Sequence, residues 1–561
     1  MSENRKLSKN EKIKVESRNL RGTLTEALDN DEPAIDKNNT NVLKFHGIYQ
    51  QDDRDIRKIK GRDKEYSFMI RSRIAGGGLS WDQYLAHDEL ADQYGNGTIR
   101  LTTRQTIQLH GVIKHDLRKT LQDLHNKLIV SIGACGDIVR NINCCPAPGR
   151  NELDNQIRDF ASELSHKLIP ESRAYHEIFL EGEKVLSGEE EPEHEPLYGK
   201  TYLPRKFKIG IAWPGDNCID VLTHDVGLIA SPDENNAITG YTFVVGGGMG
   251  MNHKKSETFP RLADPLAWVP AEKALDVVKE IVAIQRDYGN REDRKVARFK
   301  YLIEEWGIPK FKEELENRLG YELDPPEEVI DDLEPELHLG WQQQADDRWF
   351  VGLSIENGRI KDTEEIKLKT GLRDIISKFR PDIRFTASQD ILLVNIPEEQ
   401  KPAIDAAIRS YGIPHEETLS NARKYSMACP AMPTCGLAIA ESERVFPDVI
   451  RDLEQVLHQL GLDEEVLSFR MTGCPNGCAR PYVADIGFVG RSLDSYTVFV
   501  GGGPDGKRLN QVYKDLVPLD KLVETVTPLF EQFRDQRQEG ESFSDFITRV
   551  GIENLEEEKY E

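Results

Sequence analysis

The length, composition and charge of the chain exclude several classes of protein. With 561 residues, of which 38% are apolar and 8% aromatic, it suits a globular protein of about two to four domains and not a disordered chain. The absence of a long apolar run and of an apolar leader leads us to expect a cytoplasmic protein with neither a membrane span nor a cleaved signal. A net charge of −24 disfavours nucleic acid and anionic membranes as partners.

The composition of the chain changes along its length and indicates an N-terminal arm and two acidic stretches. Residues 1–22 are polar and rich in Lys and Arg, which predicts a partly ordered arm. Two acidic stretches, Glu181–Glu195 and Glu313–Glu336, are typical of surface loops or linkers. Because the second stretch also contains several prolines, it marks a boundary between two halves of the chain.

A series of short segments repeats in the same order in both halves. The pattern Ile-Arg-Leu-Thr-x-x-Gln-x-Ile-x-Leu at 99–109 returns as Ile-Arg-Phe-Thr-x-x-Gln-x-Ile-x-Leu at 383–393, and its alternation predicts strands. YTFVVGGG at 241–248 returns as YTVFVGGG at 496–503. Each copy is followed by a Val-Pro step, a helix-like stretch and a Gly-Ile pair. The series predicts an internally duplicated α+β fold with a pseudo-two-fold axis and a site shared between the halves.

Four of the eight cysteines form two close pairs in loops rich in Gly and Pro. They are Cys429 and Cys435 in MACPAMPTCG, and Cys474 and Cys478 in MTGCPNGCARP. Such loops can bring four thiolates to one centre, which suits zinc or an iron–sulfur cluster. Structural zinc usually takes cysteine pairs with shorter gaps than the one after Cys429, so the spacing favours a cluster. Two pairs of buried thiols are the remaining alternative.

The cysteine motifs resemble those of the siroheme-dependent sulfite and nitrite reductases. The resemblance covers nearly the whole chain and is carried by LRGT (20–23), FHGIYQQDDRDIR (45–57), GTIRLTTRQTIQLHG (97–111), YLPRKFK (202–208), IQRDYGNREDRK (284–295) and the C-terminal SFSDFITRVGI. It implies that Cys429, Cys435, Cys474 and Cys478 hold a 4Fe–4S cluster. It also implies that the Cys478 thiolate bridges this cluster to the iron of siroheme.

The resemblance also implies a division into domains and an activity. We expect an N-terminal arm (1–60), a first ferredoxin-like half-domain (61–130) and a siroheme- and sulfite-binding α/β domain (131–330). A second ferredoxin-like half-domain (335–413) and a domain for the 4Fe–4S cluster and siroheme (414–557) should follow. The wording of the motifs is closest to that of the assimilatory sulfite reductases, which reduce sulfite to sulfide with six electrons.

A polycarboxylate cofactor and a dianionic substrate require concentrated positive charge. Lys206 and Lys208 are two residues apart, so an extended backbone points both to one face. The resemblance places four residues around sulfite: Arg71, Arg140, Lys206 and Lys208. It gives as siroheme contacts Arg54, Arg100, Arg104, Gln108, His110, Arg205, Gln389, Asn476 and Cys478. The alternatives are a solvated basic face and, for His110, a hydrogen-bonded core histidine.

The substrate and the electron donor follow from further details of the sequence. Nitrite reductases of this family commonly have a neutral Asn at the position of Lys208, so the second lysine favours sulfite over nitrite. Neither GGGMG (246–250) nor GGGPDGKR (501–508) completes a nucleotide-binding motif, so electrons must come from another protein. We expect an NADPH-dependent flavoprotein. Ferredoxin is the alternative, and the net charge disfavours it because ferredoxins are acidic.

Three further alternatives belong to the sequence interpretation. Some family members carry a Tyr–Cys crosslink beside the siroheme, and Tyr49 and Cys135 occupy matching positions. Because other members hold such residues without the bond, we do not expect the crosslink here. Outside reductase chemistry, the chain would be a zinc-stabilised binding protein or a siroheme carrier without turnover, and neither explains the ordered basic residues as well.

Overall fold

The computed structural model describes residues 7–148, 153–181 and 195–555. Most of the first acidic stretch, predicted to be a surface loop, lies outside the described residues. The second begins in the last turns of a helix that ends at Leu319 and continues as irregular chain to Gly340, which agrees in part with a linker. Among the described helices, none is long and apolar enough to cross a membrane.

The described ranges contain twenty strands, ten in each half of the chain. The first ten are β1 (Ile48–Asp52), β2 (Tyr66–Arg71), β3 (Gly78–Leu79), β4 (Ile99–Leu101), β5 (Ile107–Val112), β6 (Asn143–Cys144), β7 (Ile209–Ala212), β8 (Val226–Pro232), β9 (Ile238–Val245) and β10 (Asp264–Pro270). The second ten are β11 (Gly340–Gln343), β12 (Trp349–Leu353), β13 (Arg359–Ile360), β14 (Asp382–Phe385), β15 (Ile391–Ile396), β16 (Ser426–Ala428), β17 (Phe469–Thr472), β18 (Ile486–Ser492), β19 (Ser495–Val500) and β20 (Gln511–Pro518).

Helices cover the outer faces of these sheets. Those before the second acidic stretch are α1 (Lys9–Glu16), α2 (Leu24–Asp29), α3 (Lys37–Leu43), α4 (Arg54–Arg57), α5 (Trp81–Gln93), α6 (Leu117–His125), α7 (Leu153–Lys167), α8 (Ala274–Tyr288) and α9 (Phe299–Leu319). The later ones are α10 (Leu368–Phe379), α11 (Lys401–Ser410), α12 (Asn421–Lys424), α13 (Phe446–Leu460), α14 (Leu522–Gln536) and α15 (Phe543–Val550). In α13, Val449, Leu453 and Leu457 are buried at helical spacing, and the helix ends at Gly461 with a φ of 68°.

Two of the sheets exchange a strand between the halves. Their orders are β1-β2-β5-β4-β13 and β11-β12-β15-β14-β3, so each takes its last strand from the other half. Arg359 of β13 pairs with Arg100 of β4, and Gly78 of β3 pairs with Arg384 of β14. Each half gives its strand to the equivalent sheet of the other half, as expected for two duplicated units. This confirms the duplicated α+β architecture.

The other two sheets have the orders β10-β9-β8-β7-β6 and β20-β19-β18-β17-β16. Within each, the last three strands of that order are parallel and the others antiparallel. The carboxyl ends of parallel neighbours meet at one edge of a sheet, where open α/β sheets bind their ligands. This edge carries the cysteine loops in the second half.

The predicted strand repeats form β4–β5 and β14–β15. Each pair is joined by a tight turn with a left-handed glutamine, Gln105 with a φ of 54° and Gln389 with a φ of 78°. Gln105 Nε2 donates to the carbonyl of Phe385 at 2.9 Å, and Gln389 Nε2 donates to the carbonyl of Ala428 at 3.1 Å. The repeated glutamines therefore tie each turn to other elements of the fold.

The N-terminal segment is more ordered than the sequence predicted. Residues 7–22 pack on the first half, and Glu11 and Lys14 of α1 are buried. Lys14 Nζ donates to the carbonyl of Leu203 at 2.7 Å and lies 3.7 Å from Asp137 Oδ2, while Arg291 pairs with Glu11. Because buried charges need partners, this network holds the segment in place.

Candidate active site

The loops after two neighbouring parallel strands bring the four predicted cluster cysteines together. Cys429 follows β16 directly and Cys474 comes just after β17, while Cys435 and Cys478 lie farther along the same two loops. Burial, followed by the charge of Cys478, raises the pKa of Cys474 to about 12. Burial and the other cysteines likewise raise the pKa of Cys429. The four cysteines thus lie within electrostatic range of one another, as ligands of one cluster would.

Hydrogen-bond donors of the loops point at the sulfur atoms. The Gly473 amide donates to Cys429 Sγ at 3.4 Å, and Asn476 Nδ2 donates to Cys474 Sγ at 3.4 Å. A side chain on Gly473 would lie 2.4 Å from the carbonyl of Ala440, so this close packing requires glycine. Donors of this kind stabilise thiolates. The structure places Asn476, a predicted siroheme contact, within the cysteine loop itself.

Lys206 and Lys208 lie beside these cysteines on the segment that leads into β7. Burial, followed by the neighbouring Arg298, lowers the pKa of Lys206 to about 7. Burial, then Lys206 and Arg104, lowers the pKa of Lys208 well below its usual value. Both lysines also feel the charge of Cys478. The two predicted sulfite residues are therefore buried amines within electrostatic range of each other and of Cys478.

Arg140 and Arg71 approach the site from the first half. Arg140 Nε donates to the carbonyl of Gly136 at 2.7 Å, and the Tyr49 side chain lies near its guanidinium. Burial lowers the pKa of Arg140, but the nearby Tyr49 and Cys135 outweigh this effect, so the pKa is raised overall. A cavity lined by Tyr49, Arg140 and Arg205 also reaches Leu437 of the cysteine loop. The structure thus brings residues of both halves to one depression.

Gln108 connects Arg71 with His110. In the amide orientation that satisfies both neighbours, its side-chain oxygen accepts from Arg71 Nε at 3.2 Å and its nitrogen donates to His110 Nε2 at 3.2 Å. Burial, together with the charges of Arg359 and Arg100, lowers the pKa of His110 well below its usual value. His110 is therefore neutral, and its role is that of a hydrogen-bonding group.

Several of the remaining predicted siroheme contacts hydrogen-bond the chain beside the cysteines. Arg100 is fully buried, and its Nη2 donates to the carbonyl of Ala428 at 2.8 Å. Arg104 Nη1 contacts His224 Nε2 at 2.6 Å, and Arg54 hydrogen-bonds the carbonyl of Ala438 in the cysteine loop. Burial lowers the pKa of Arg104 to about 9. Burial, then Arg294, lowers the pKa of Arg205 to about 10.

Several buried donors in this region have no hydrogen-bond partner among the described residues. They are Arg54 Nε, Arg100 Nη1 and Arg104 Nε, and the buried His110 Nδ1 is also without a partner. Buried polar atoms are normally paired, so this set indicates a bound polar group. A polycarboxylate such as siroheme fits these cations, and four convergent thiols fit an iron–sulfur cluster.

The sequence interpretation missed residues that organise the lysines. Asp225 Oδ2 accepts from the Lys208 amide at 2.8 Å and from Arg298 Nη2 at 2.9 Å. Lys300 Nζ donates to the carbonyls of Gly248 and Gly250 at 2.9 and 2.8 Å. The GGGMG segment is therefore a turn held by a buried lysine. The only sequence signal was the density of Arg and Lys between 291 and 300.

The fold and the site define a class of protein: a duplicated α+β chain with a cysteine- and arginine-rich site shared by its halves. The family described as nitrite and sulphite reductase 4Fe-4S domain matches residues 135–323 and 423–561. The nitrite/sulfite reductase ferredoxin-like half domain matches residues 59–127 and 342–411. The chain belongs to the nitrite and sulphite reductase family, which confirms the predicted family and its 4Fe–4S cluster.

Similar proteins support the same family over the full length. The chain is 45% identical to the sulfite reductase (NADPH) hemoprotein beta-component of Staphylococcus carnosus, over 97% of this chain and 95% of that protein. It is 44% identical to the sulfite reductase (ferredoxin) of Synechococcus elongatus, over 98% and 90%. The structure of Mycobacterium tuberculosis NirA superposes with a TM-score of 0.79 at 25% identity and covers 98% of both chains.

Proposed function

We propose that the chain is the siroheme and 4Fe–4S subunit of an assimilatory sulfite reductase, which reduces sulfite to sulfide. The observation that carries the proposal is that Lys206 and Lys208 are buried together, within electrostatic range of Cys478 and of several arginines. A pair of lysines suits a dianion better than the singly charged nitrite. The similar proteins of Staphylococcus carnosus and Synechococcus elongatus, which are sulfite reductases with different electron donors, agree with this choice.

The proposal gives each group of residues one task. Cys429, Cys435, Cys474 and Cys478 would hold the cluster, and Cys478 would also help to hold siroheme. The siroheme carboxylates and ring would be bound by Arg54, Arg100, Arg104, Gln108, His110, Arg205, Gln389 and Asn476. Arg71, Arg140, Lys206 and Lys208 would surround the substrate. When bound, siroheme and the cluster supply electrons one at a time.

The side chains around the substrate bind charge and supply protons. Two arginines and two lysines in a buried setting neutralise the sulfite oxygens more strongly than they would in water. With a pKa of about 7, Lys206 Nζ can release a proton near neutral pH as an oxygen leaves. Arg140 keeps its charge throughout, because its pKa is raised. Arg140 thus contributes charge alone, whereas Lys206 both binds sulfite and supplies a proton.

The electron donor is proposed to be an NADPH-dependent flavoprotein, with ferredoxin as the alternative. The net charge of −24 repels an acidic ferredoxin unless the docking face is locally basic. The relatives include both kinds of enzyme. Sulfide formation by the purified chain with each donor, under the same conditions, decides between them.

Turnover with an artificial one-electron donor tests the activity itself. Reduced methyl viologen is added under nitrogen to protein with a full complement of iron, and released sulfide is compared with electrons consumed. One sulfide for six electrons supports the proposal. Fully loaded protein that forms no sulfide would identify a siroheme carrier, and faster reduction of nitrite than of sulfite would make the chain a nitrite reductase.

Other expectations stay predictions. These include the domain boundaries at 60, 130, 330, 413 and 557, the cytoplasmic location, and the absence of nucleic-acid and membrane partners. The structure brings Cys135 close enough to Tyr49 to raise the pKa of the phenol, together with burial. An unmodified Tyr49 in a peptide map of the purified protein would establish that the two side chains are not crosslinked.

A further inference from the structure

Two cysteines of the first half occupy the positions of two cluster cysteines of the second. Cys145 is the first residue after β6, as Cys429 is the first residue after β16. Cys218 lies eight residues before β8, as Cys478 lies eight residues before β18. The duplication therefore places a second pair of thiols at the carboxyl edge of the sheet β10-β9-β8-β7-β6.

These thiols belong to a buried group of four possible metal ligands: Cys145, Asp216, Cys218 and His338. The ligand atoms all lie within 4.8 Å of one another. Cys145 Sγ is 2.9 Å from Asp216 Oδ2 and 3.4 Å from His338 Nε2, and the last two atoms are 3.2 Å apart. Each of the four residues leaves at most 8% of its surface exposed.

We propose that these four residues bind one zinc ion, separate from the predicted iron cofactors. Two thiolates, an imidazole and a carboxylate are a donor set that zinc prefers in tetrahedral geometry. Zinc–ligand bonds of about 2.0–2.3 Å at tetrahedral angles put neighbouring donor atoms roughly 3.3–3.8 Å apart. The separations among Cys145, Asp216 and His338 are 2.9–3.4 Å, and Cys218 Sγ lies within 4.8 Å of the other three ligand atoms.

The surroundings of the four residues have the features of a zinc site. His338 Nδ1 lies 3.8 Å from Glu336 Oε1, and a metal-bound histidine commonly directs its other nitrogen at such a group. Asp216 Oδ1 accepts from the Cys218 amide at 2.8 Å, which fixes the carboxylate. Binding of zinc would displace the thiol protons into solvent.

The same comparison of the halves argues against a second iron–sulfur cluster. Cys474 lies four residues before Cys478, whereas Pro214 lies four residues before Cys218. The first half therefore lacks a thiol at that position, and Asp216 and His338 provide the remaining donors. This donor set suits a single ion.

A zinc ion at this place would tie the linker between the halves to the sheet that contains β6 and β7. His338 precedes β11, and the other three ligands lie beside β6 and β7. The linker is already joined to this region by the Asn217 amide, which donates to the carbonyl of Glu334 at 2.7 Å. With all four positions taken by protein, the ion would have a structural role.

The test uses the full-length protein with its iron cofactors, grown with zinc and dialysed against EDTA. Elemental analysis should find about one zinc per chain. Absorption fine structure at the zinc edge, which does not detect iron, should show two sulfur atoms near 2.3 Å and two nitrogen or oxygen atoms at about 2.0–2.2 Å. Cys145→Ser and His338→Gln should each reduce retained zinc at least about tenfold. Cys144→Ser, a change at a neighbouring buried cysteine, should keep it.

The outcomes separate this proposal from the reductase assignment. The proposed zinc site would be contradicted by wild-type protein that contains no zinc or by a zinc spectrum without sulfur ligands. Zinc retained by a Cys145→Ser/Cys218→Ser double variant would also contradict it. A disulfide between Cys145 and Cys218 in the purified protein would also overturn it. If a variant does not fold, the wild-type spectrum decides. Sulfide formation can fail while zinc is found, and the reverse, so neither result depends on the other.

Discussion

Asp220 and Arg480 occupy equivalent positions in the two halves and form an ion pair with each other. Each is a left-handed residue, with φ of 51° and 52°, before the short turn that leads into β8 or β18. Arg470 Nη1 also donates to Asp220 Oδ2, at 2.8 Å. Residues related by a pseudo-two-fold axis can touch only near that axis. The pair therefore joins the halves at the centre of the molecule.

Replacement of Asp220 by Asn should destabilise the protein strongly. The change leaves Arg470 and Arg480 buried without their shared carboxylate, and loss of one partner of a buried ion pair costs about 3–5 kcal/mol. We expect a lower urea midpoint for the unfolding of the holoenzyme. Asp535→Asn, which removes an exposed ion pair with Arg534 on α14, should change the midpoint little. Equal midpoints for both variants would contradict a central role for Asp220.

Replacement of Lys208 by Met should lower sulfite turnover about a hundredfold or more, because one positive group facing the substrate is lost. The visible spectrum of siroheme should stay unchanged, since Met keeps the length of the side chain. Lys254→Met, at an exposed position, serves as the control for a general effect of charge. Normal turnover by the Lys208 variant would remove this lysine from the substrate site.

Replacement of Cys435 by Ser should remove the cluster while the fold persists. In the first cysteine loop Cys429 is buried, whereas Cys435 is partly exposed. We expect acid-labile sulfide to fall at least about tenfold. Cys144→Ser, outside the predicted ligands, should leave labile sulfide at the wild-type level. A full cluster in the Cys435 variant would contradict the ligand assignment.

Attachment of α1 should weaken in acid. Burial raises the pKa of Asp137, but the neighbouring Arg294 and Lys14 outweigh this effect and hold the pKa well below its usual range. The carboxylate therefore stabilises the contact above about pH 4, the ordinary pKa of Asp, and this stabilisation is lost as the pH falls further. Cleavage of residues 7–22 by pepsin should accelerate below that pH.

The same contact can be removed at neutral pH. Asp137→Asn should expose the lysines of α1 to trypsin at pH 7, because Arg294 and Lys14 lose their partner. Asp31→Asn, at an exposed position, should leave cleavage unchanged. Resistance of the Asp137 variant at pH 7 would mean that apolar packing alone holds the segment.

Much of the fold was predictable because both copies of the duplicated unit keep the same short sequence motifs. The Ile-Arg-x-Thr repeats predicted β4–β5 and β14–β15, and the paired cysteines predicted the loops after β16 and β17. The exchange of β3 and β13 was not predictable, because two-residue strands carry no pattern and their partners are distant in sequence. The pairing of Asp220 with Arg480 was not predictable for another reason. The two residues occupy equivalent positions but differ in type, so a search for repeated residues does not connect them.

The candidate site was predictable in its residue types and not in its organisation. Lys206 and Lys208 were identified by a motif and their spacing. Asp225, which anchors the Lys208 amide, gave no sequence signal. Cys145 and Cys218 were passed over because they form no close pair in the chain, and only the strand register shows their relation to Cys429 and Cys478.

The most direct test of the central claim is the visible spectrum of the purified protein, with iron and acid-labile sulfide assayed on the same sample. Protein from a host that makes siroheme should show the Soret and α bands of an isobacteriochlorin. It should contain about five irons and about four labile sulfides per chain. Colourless protein without iron would contradict the account of this chain as a siroheme and 4Fe–4S enzyme.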